Sequence, residues 1–273
     1  MMTELPVQTG AASSSSLRWA GLLLLLLLLA FGFAAPVLFR GDPAQQHLAS
    51  VLQYPGKQFL LGTDHLGRDM LQRLAAAVRI SVLIALLTTA TAALFGVGAG
   101  MLAAMRGGWL ERAFSLLADT ILALPGLLLV LLLVAITPGA YWNLYMGISL
   151  VLWVEFYRMS RAIVEPLACS SGVQASRLLG FGNWYVIRRH FWPELRASIL
   201  TLSAFAAATS VLSVAALGFV HVGVRPPTPE LGQMMTELLP YYQEAPYIFL
   251  QPILLLILLV LGLNLLAGGK AHE

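Results

Sequence analysis

TILALPGLLLVLLLVAITPGAYWNLYMGISLVLWV, from Thr120 to Val154, runs for 35 residues without an Asp, Glu, Lys or Arg. About 20 apolar residues suffice to cross the roughly 30 Å hydrocarbon core of a bilayer as a helix. The stretch is too long for one comfortable crossing, and Thr137-Pro138-Gly139 places a turn signal near its middle. It reads as parts of two spans, 112–136 and 141–157. Four further spans lie at 19–39, 79–106, 197–220 and 247–267. The first of these holds eight consecutive leucines, Leu22 to Leu29, after the polar stretch Ser13 to Ser16. A cleaved signal peptide has a shorter apolar region, about 7–15 residues, and Ala34-Ala35-Pro36 is a poor cleavage site, so this segment reads as an uncleaved anchor.

The rest of the chain agrees with a bilayer as its solvent. Of 273 residues, 59% are hydrophobic and only 11% charged, too few charges to cover a water-facing surface and the reverse of a disordered composition. The single cysteine, Cys169, excludes an intramolecular disulfide framework. A net charge of +3 is spread over many short polar connections, as positive-inside topology requires and nucleic-acid binding does not. Ten Lys and Arg fall on the inner side and six on the outer if the N-terminus is inside, so both termini are expected in the cytoplasm. The fold class expected is all-α: a polytopic membrane protein with six transmembrane helices. Its parts are a cytoplasmic tail (1–16), a first helix (17–39), a periplasmic loop carrying an interfacial helix (40–78), a five-helix core (79–267) and a cytoplasmic tail (268–273). The core includes an inner loop at 158–196 and an outer loop at 221–246. No fixed-period repeat is visible.

Motifs for covalent chemistry are not recognisable. Gly268-Gly269-Lys270 lacks the upstream glycine, the following Ser or Thr and the preceding strand of a phosphate loop. The five histidines have no short metal-ligand spacing, so neither a metal nor a cofactor is expected on this chain. If ATP drives this protein, another chain must hold it.

The long outer loop ends in Leu61-Gly62-Thr63-Asp64-His65-Leu66-Gly67-Arg68-Asp69, followed by Met70, Leu74 and Val78 at helical spacing. Asp64 is the expected N-cap of a helix lying along the membrane edge. Arg68 and Asp69 are expected in charge pairs, either as an outer gate or docking surface or as part of a well-capped interfacial helix. In the inner loop, residues 174–179 read as a short helix that Gly180 and Gly182 break, and Trp184 to His190 as a second helix ahead of Pro193. The resulting knob carries small Ala175 and Ser176, apolar Leu178, Leu179 and Phe181, and basic Arg177, Arg188 and Arg189. It suits a partner's groove; a helix pair on the bilayer surface, anchored by Trp184 and Tyr185, is the alternative.

At these residues the chain resembles a known family. Gln174-Ala175-Ser176, Gly180 and Pro193 match in order and spacing the cytoplasmic motif of ABC importer permeases, which opens Glu-Ala-Ala, places glycine four residues after the second alanine and closes on Leu-Pro. The outer stretch Gly62 to Asp69 is similar to the hallmark of the dipeptide, oligopeptide and nickel branch. So is Gly223-Val224-Arg225-Pro226-Pro227-Thr228-Pro229-Glu230-Leu231-Gly232-Gln233-Met234. The resemblance implies a type I importer permease of the bacterial inner membrane, paired with a homologous permease subunit. Two cytoplasmic ATPase subunits would carry ATP and Mg, and an external substrate-binding protein would deliver short peptides, nickel or metal-chelate complexes. It also implies that Gln174 to Phe181, with Pro193, form the coupling helix that meets the ATPase. Thr63, Asp64, Arg68, Asp69, Pro226 and Pro227 would serve the outer gate or the binding-protein contact. Gln174 departs from the usual Glu, which weakens a charge-assisted contact to a neutral one; Trp192 replaces Leu before Pro193, and Leu231 stands where Trp is common.

Within the spans, Asp119 must face protein or water. It is expected either on the translocation path or paired with Arg112 or a neighbouring helix. Ser210, Ser213 and His221 are further path candidates, and Glu155 and Arg158 are expected to pair or snorkel. Gly96 and Gly100 have the spacing of a close helix contact. Two functions remain open: an alternating-access permease without covalent chemistry of its own, and an ATP-independent ion-coupled carrier or channel that uses Asp119 and Glu155.

Overall fold

The computed structural model describes residues 11–39, 41–136 and 141–268. The expected turn at Thr137-Pro138-Gly139 and most of both tails lie outside the described residues. The chain is all-α: α1 (Ala11–Leu38), α2 (Met70–Arg106), α3 (Gly108–Leu122), α4 (Gly126–Ile136), α5 (Tyr141–Ala168), α6 (Ser171–Leu178), α7 (Asn183–Val186), α8 (Trp192–Phe219), α9 (Leu231–Leu238) and α10 (Pro246–Ala267). A π-helical turn, Ile187–Phe191, joins α7 to α8. The only bridge outside helices among the described residues links Thr63 with Asp69.

Four helical segments are long and apolar enough to cross a membrane: Ser16–Leu38, Met70–Arg106, Asn183–Phe219 and Pro246–Ala267; the bent pair α3 and α4, counted as one span, would be a fifth. The 28-residue α5 has the length for a sixth, about 42 Å at 1.5 Å per residue. Glu155, Arg158, Arg161 and Glu165 set it apart from its apolar neighbours. It packs along α2, which is the most extensive helix pair of the molecule. The core between them holds Trp153, Phe156, Tyr157 and Val164, with α8 adding Leu195, Ala206 and Val214. Around this core, α1 packs on α10: a side chain at Gly21 would meet Leu265 Cβ at 2.8 Å. The outward leucines of α1, such as Leu23 and Leu27, are exposed, as suits a lipid-facing helix.

The helices correct some expectations and sharpen others. The third span is broken at Pro125 by a corner sharper than a kink, α3 and α4 meeting at 84°; Pro125 lacks the N–H that would continue the helix, and Gly126 restarts it. No separate interfacial helix precedes α2. Asp69, not Asp64, is the N-cap, its side chain accepting from Leu71 N at 2.9 Å, and no Gly or Pro interrupts the chain until Gly96, so the helix continues past Arg79. The stretch 158–196 is mostly helical: α5 runs on to Ala168, α6 follows at Ser171–Leu178, and α7 begins at Asn183. Asp119 pairs with a neighbouring helix, as expected of it off the path: Arg158 of α5 lies 2.7 Å away, and the expected pair of Arg158 with Glu155 is not made.

Candidate functional site

The candidate residues gather at two ends of the molecule. At the first, α6 stops at Gly180, whose φ of +84° is a left-handed conformation that glycine adopts freely. Gly182 then opens the next helical segment as N-cap of α7. The two short helices are clamped at their base: Ser176 Oγ lies 3.0 Å from His190 Nε2, and Val173, Val186 and Phe191 are fully buried beneath. Phe181 stacks on Tyr185 with ring centroids 4.2 Å apart. The tip is the reverse of this base. Leu178 is 89% exposed, Leu179 76% and Trp184 75%, with Arg177, Arg188 and Arg189 also on the surface. Three large apolar side chains at a charged, glycine-bent tip form a surface made for another protein or for a lipid interface. Gln174 and Ala175 are exposed on the same unit, and Gln174 Nε2 donates to Cys169 O at 3.0 Å. Pro193 is exposed at the start of α8.

The other end is tied by charge. Asp64 is buried, and its Oδ1 accepts from Leu66 N and Arg68 N, both at 2.8 Å. Its Oδ2 takes Arg68 Nε at 2.5 Å and Arg73 Nη1 at 2.9 Å. Both guanidinium groups then reach Glu237 of α9, at 2.9 Å from Arg68 and 2.7 Å from Arg73. Thr63 is also buried, donating to Ser50 O at 2.5 Å and accepting from Gln53 N at 2.9 Å. Thr63, Asp64 and Arg68 thus belong to the interior and not to a docking surface; of the outer set, Pro226 and Pro227 are exposed and Asp69 is partly buried as a helix cap. Burial raises the Asp69 carboxyl, against the backbone N–H groups of Leu71 and Gln72 that favour its charged form. Donor atoms of Asp64, His65 and Glu237 lie within 4.8 Å of one another, but both carboxylates already hold two guanidinium groups, which occupy the oxygens that a cation would need.

Arg73, Glu237 and Glu230 escaped the sequence reading. Arg73 carried a weak signal, as a second cation at the mouth of an apolar helix that needs a counter-ion. Glu237 lies 164 residues away from it, and nothing in the sequence joins the two. Glu230 caps α9, accepting from Gly232 N at 3.0 Å and Gln233 N at 2.9 Å; its complete burial pushes its carboxyl up to about 7.

The path candidates do not converge. Ser210 is fully buried and bonded to Thr88 Oγ1 at 2.9 Å, so it joins two helices of this chain and lines no path between chains. Ser213 is partly exposed and donates to Thr209 O at 2.8 Å. His221 is exposed just beyond α8, and Asp119 is exposed on α3 in its pair with Arg158.

Comparisons with known proteins agree with this architecture. The family described as the inner membrane component of binding-protein-dependent transport systems matches residues 96–268. The di/tripeptide transport system permease protein DppC of Pseudomonas aeruginosa is 34% identical over 255 residues, covering 91% of this chain and 84% of that one. The dipeptide transport system permease protein DppC of Alkalihalophilus pseudofirmus is 30% identical, covering 93% and 84%. The glutathione transport system permease protein GsiD of Pectobacterium atrosepticum is 30% identical, covering 90% and 82%.

Proposed function

Because this chain belongs to the family of inner membrane components of binding-protein-dependent transport systems, we propose that it is the permease subunit of an ATP-driven importer of short peptides. In this reading it forms half of the translocation path, a homologous permease forms the other half, and two ATPase subunits hold ATP and Mg beneath them. A binding protein delivers cargo at the end where Pro226 and Pro227 are exposed. Both termini and the Gly180 elbow face the cytoplasm, in line with the excess of Arg on that side. Peptides are preferred to nickel or metal chelates because the relatives above are named for dipeptides, tripeptides and glutathione.

One observation carries the coupling role: an exposed apolar tip of Leu178, Leu179 and Trp184 stands on a fully buried base. A tip seated in an ATPase groove passes its displacement through Val173, Val186 and Phe191 to α5 and α8, because a packed base moves as a body. The ion-coupled alternative loses one of its two carboxylates, since Asp119 already pairs with Arg158.

Replacing Gly180 tests the reading. No atom of this chain lies within 4 Å of a Cβ added there, so within the chain Gly180→Val acts through its left-handed backbone, at a cost of about 1–2 kcal/mol. With Ala175→Glu as a second variant, uptake of cargo should fall by about tenfold or more while the amount of inserted protein is unchanged. Normal uptake by both variants would remove the coupling assignment.

A further inference from the structure

Glu155 is the first charge met on α5 after fourteen uncharged residues, and it opens onto a groove between α5 and α8 of about 550 Å³. No hydrogen bond or ion pair engages it among the described residues, because the cation one turn further on, Arg158, is held by Asp119 at 2.7 Å. An exposed carboxylate at the edge of a span does not face hydrocarbon, so it faces protein or a water-filled path. Across the groove, Thr201 Oγ1 donates its proton to Ala197 O at 3.1 Å and keeps its lone pairs for an incoming donor. Phe205, 44% exposed, adds an aromatic face on the same wall.

We propose that this groove binds the N-terminal ammonium of a peptide cargo, with Glu155 as the counter-ion, Thr201 as a second acceptor and Phe205 as a cation–π wall. The inference rests on the reading of this chain as a peptide permease and names a contact within it. The chemistry selects an ammonium over a metal ion. An ammonium needs a few acceptors and tolerates an aromatic face, whereas a divalent cation needs four or more ligand atoms, and the groove supplies one carboxylate. Apolar Met159 and Leu202 leave room for variable side chains, so the site reads the terminus common to all peptides and little else.

The test uses the complete transporter, this chain with its partner subunits, in lipid nanodiscs without the binding protein. Saturation-transfer NMR is recorded with two probes, dialanine and N-acetyldialanine, which lacks the ammonium. Dialanine is expected to bind the wild type at least tenfold more tightly than its acetylated form. Glu155→Gln should remove that preference, and Glu155→Asp should restore part of it, the complex staying intact in both. Equal binding of the two probes, no binding of dialanine, or a preference unchanged by Glu155→Gln would overturn the proposal. Dissociation of the Glu155→Gln complex would overturn it too, by assigning Glu155 to a seam between subunits. ATP-dependent dialanine uptake by the wild-type complex with binding protein added is scored separately: its absence counts against the permease reading, whereas uptake unaffected by Glu155→Gln counts only against this contact.

Discussion

Two opposing demands meet at the side chain of Glu230. Backbone donors at 2.9 and 3.0 Å favour its carboxylate, while full burial between α8 and α9 favours the acid, and burial dominates, holding the group up to about 7. The neighbourhood leaves no slack, since a side chain at Gly218 would overlap Glu230 itself and one at Gly232 would overlap Ala215 O. In the unfolded chain the carboxyl titrates near 4.5, so between that pH and about 7 the unfolded state sheds its proton and the folded state keeps it. This residue's contribution to stability is therefore full below pH 4.5 and is lost as pH rises towards 7, by on the order of 3 kcal/mol. Melting curves of the detergent-solubilised protein from pH 4.5 to 8 should show the loss in the wild type and a flatter profile in Glu230→Gln; parallel profiles would refute the assignment. Arg73 is the contrasting case, a buried charge whose two carboxylate partners, Asp64 and Glu237, compensate its desolvation.

At the scale of elements, the contact between α2 and α5 is set by where side chains are missing. A Cβ at Gly96 would come within 2.5 Å of Trp153 O and 2.6 Å of Phe156 Cβ, and one at Gly100 would come within 2.6 Å of Tyr157 O and overlap Ser160 Oγ, whereas Gly98 has nothing within 4 Å. Gly96→Ala and Gly100→Ala should each destabilise the protein by about 1–3 kcal/mol through forced separation of the helices. Gly98→Ala should be neutral or stabilising by up to about 1 kcal/mol, because alanine prefers helix; thermal unfolding of the three variants decides. This pair was legible in the sequence because a four-residue spacing of small residues carries its own geometry, and so was the Gly180 elbow, where glycines separate two short helical patterns. Pro125 marks a break in the helix but not the 84° corner found there, since proline interrupts a hydrogen-bond ladder without fixing the angle that follows. The start of α2 was misplaced because Asp64 and Asp69 are equally good caps on local grounds. Asp64 is instead drawn inward by Arg73 and by Arg68, which also reaches Glu237, 169 residues beyond it. Partners so distant in the chain leave no local pattern.

Taken whole, the molecule is stiff at one end and presents a lever at the other. The loop leading into α2, α9 and the first turns of α10 share one apolar cluster, Met70, Leu74, Leu231, Met234 and Ile248, under the Asp64, Arg68, Arg73 and Glu237 network. A network largely desolvated and linked across the chain opens only with the surrounding fold. The elbow at 174–185 has a packed base but an exposed tip, so its backbone hydrogen bonds open locally. In the proposed permease, alternating access would be rotation of α5 and α8 about the tied end, driven at the elbow, since force applied at the free end acts through the length of the helices. Amide hydrogen exchange distinguishes this from a uniformly flexible bundle. In the isolated permease, amides of α9 and of 64–77 should exchange on the order of a hundredfold more slowly than those of 174–182. Adding the ATPase subunits should protect 174–185 and leave the tied end unchanged. Equal protection at both ends before the ATPase is added, or new protection confined to α9, would place the lever elsewhere.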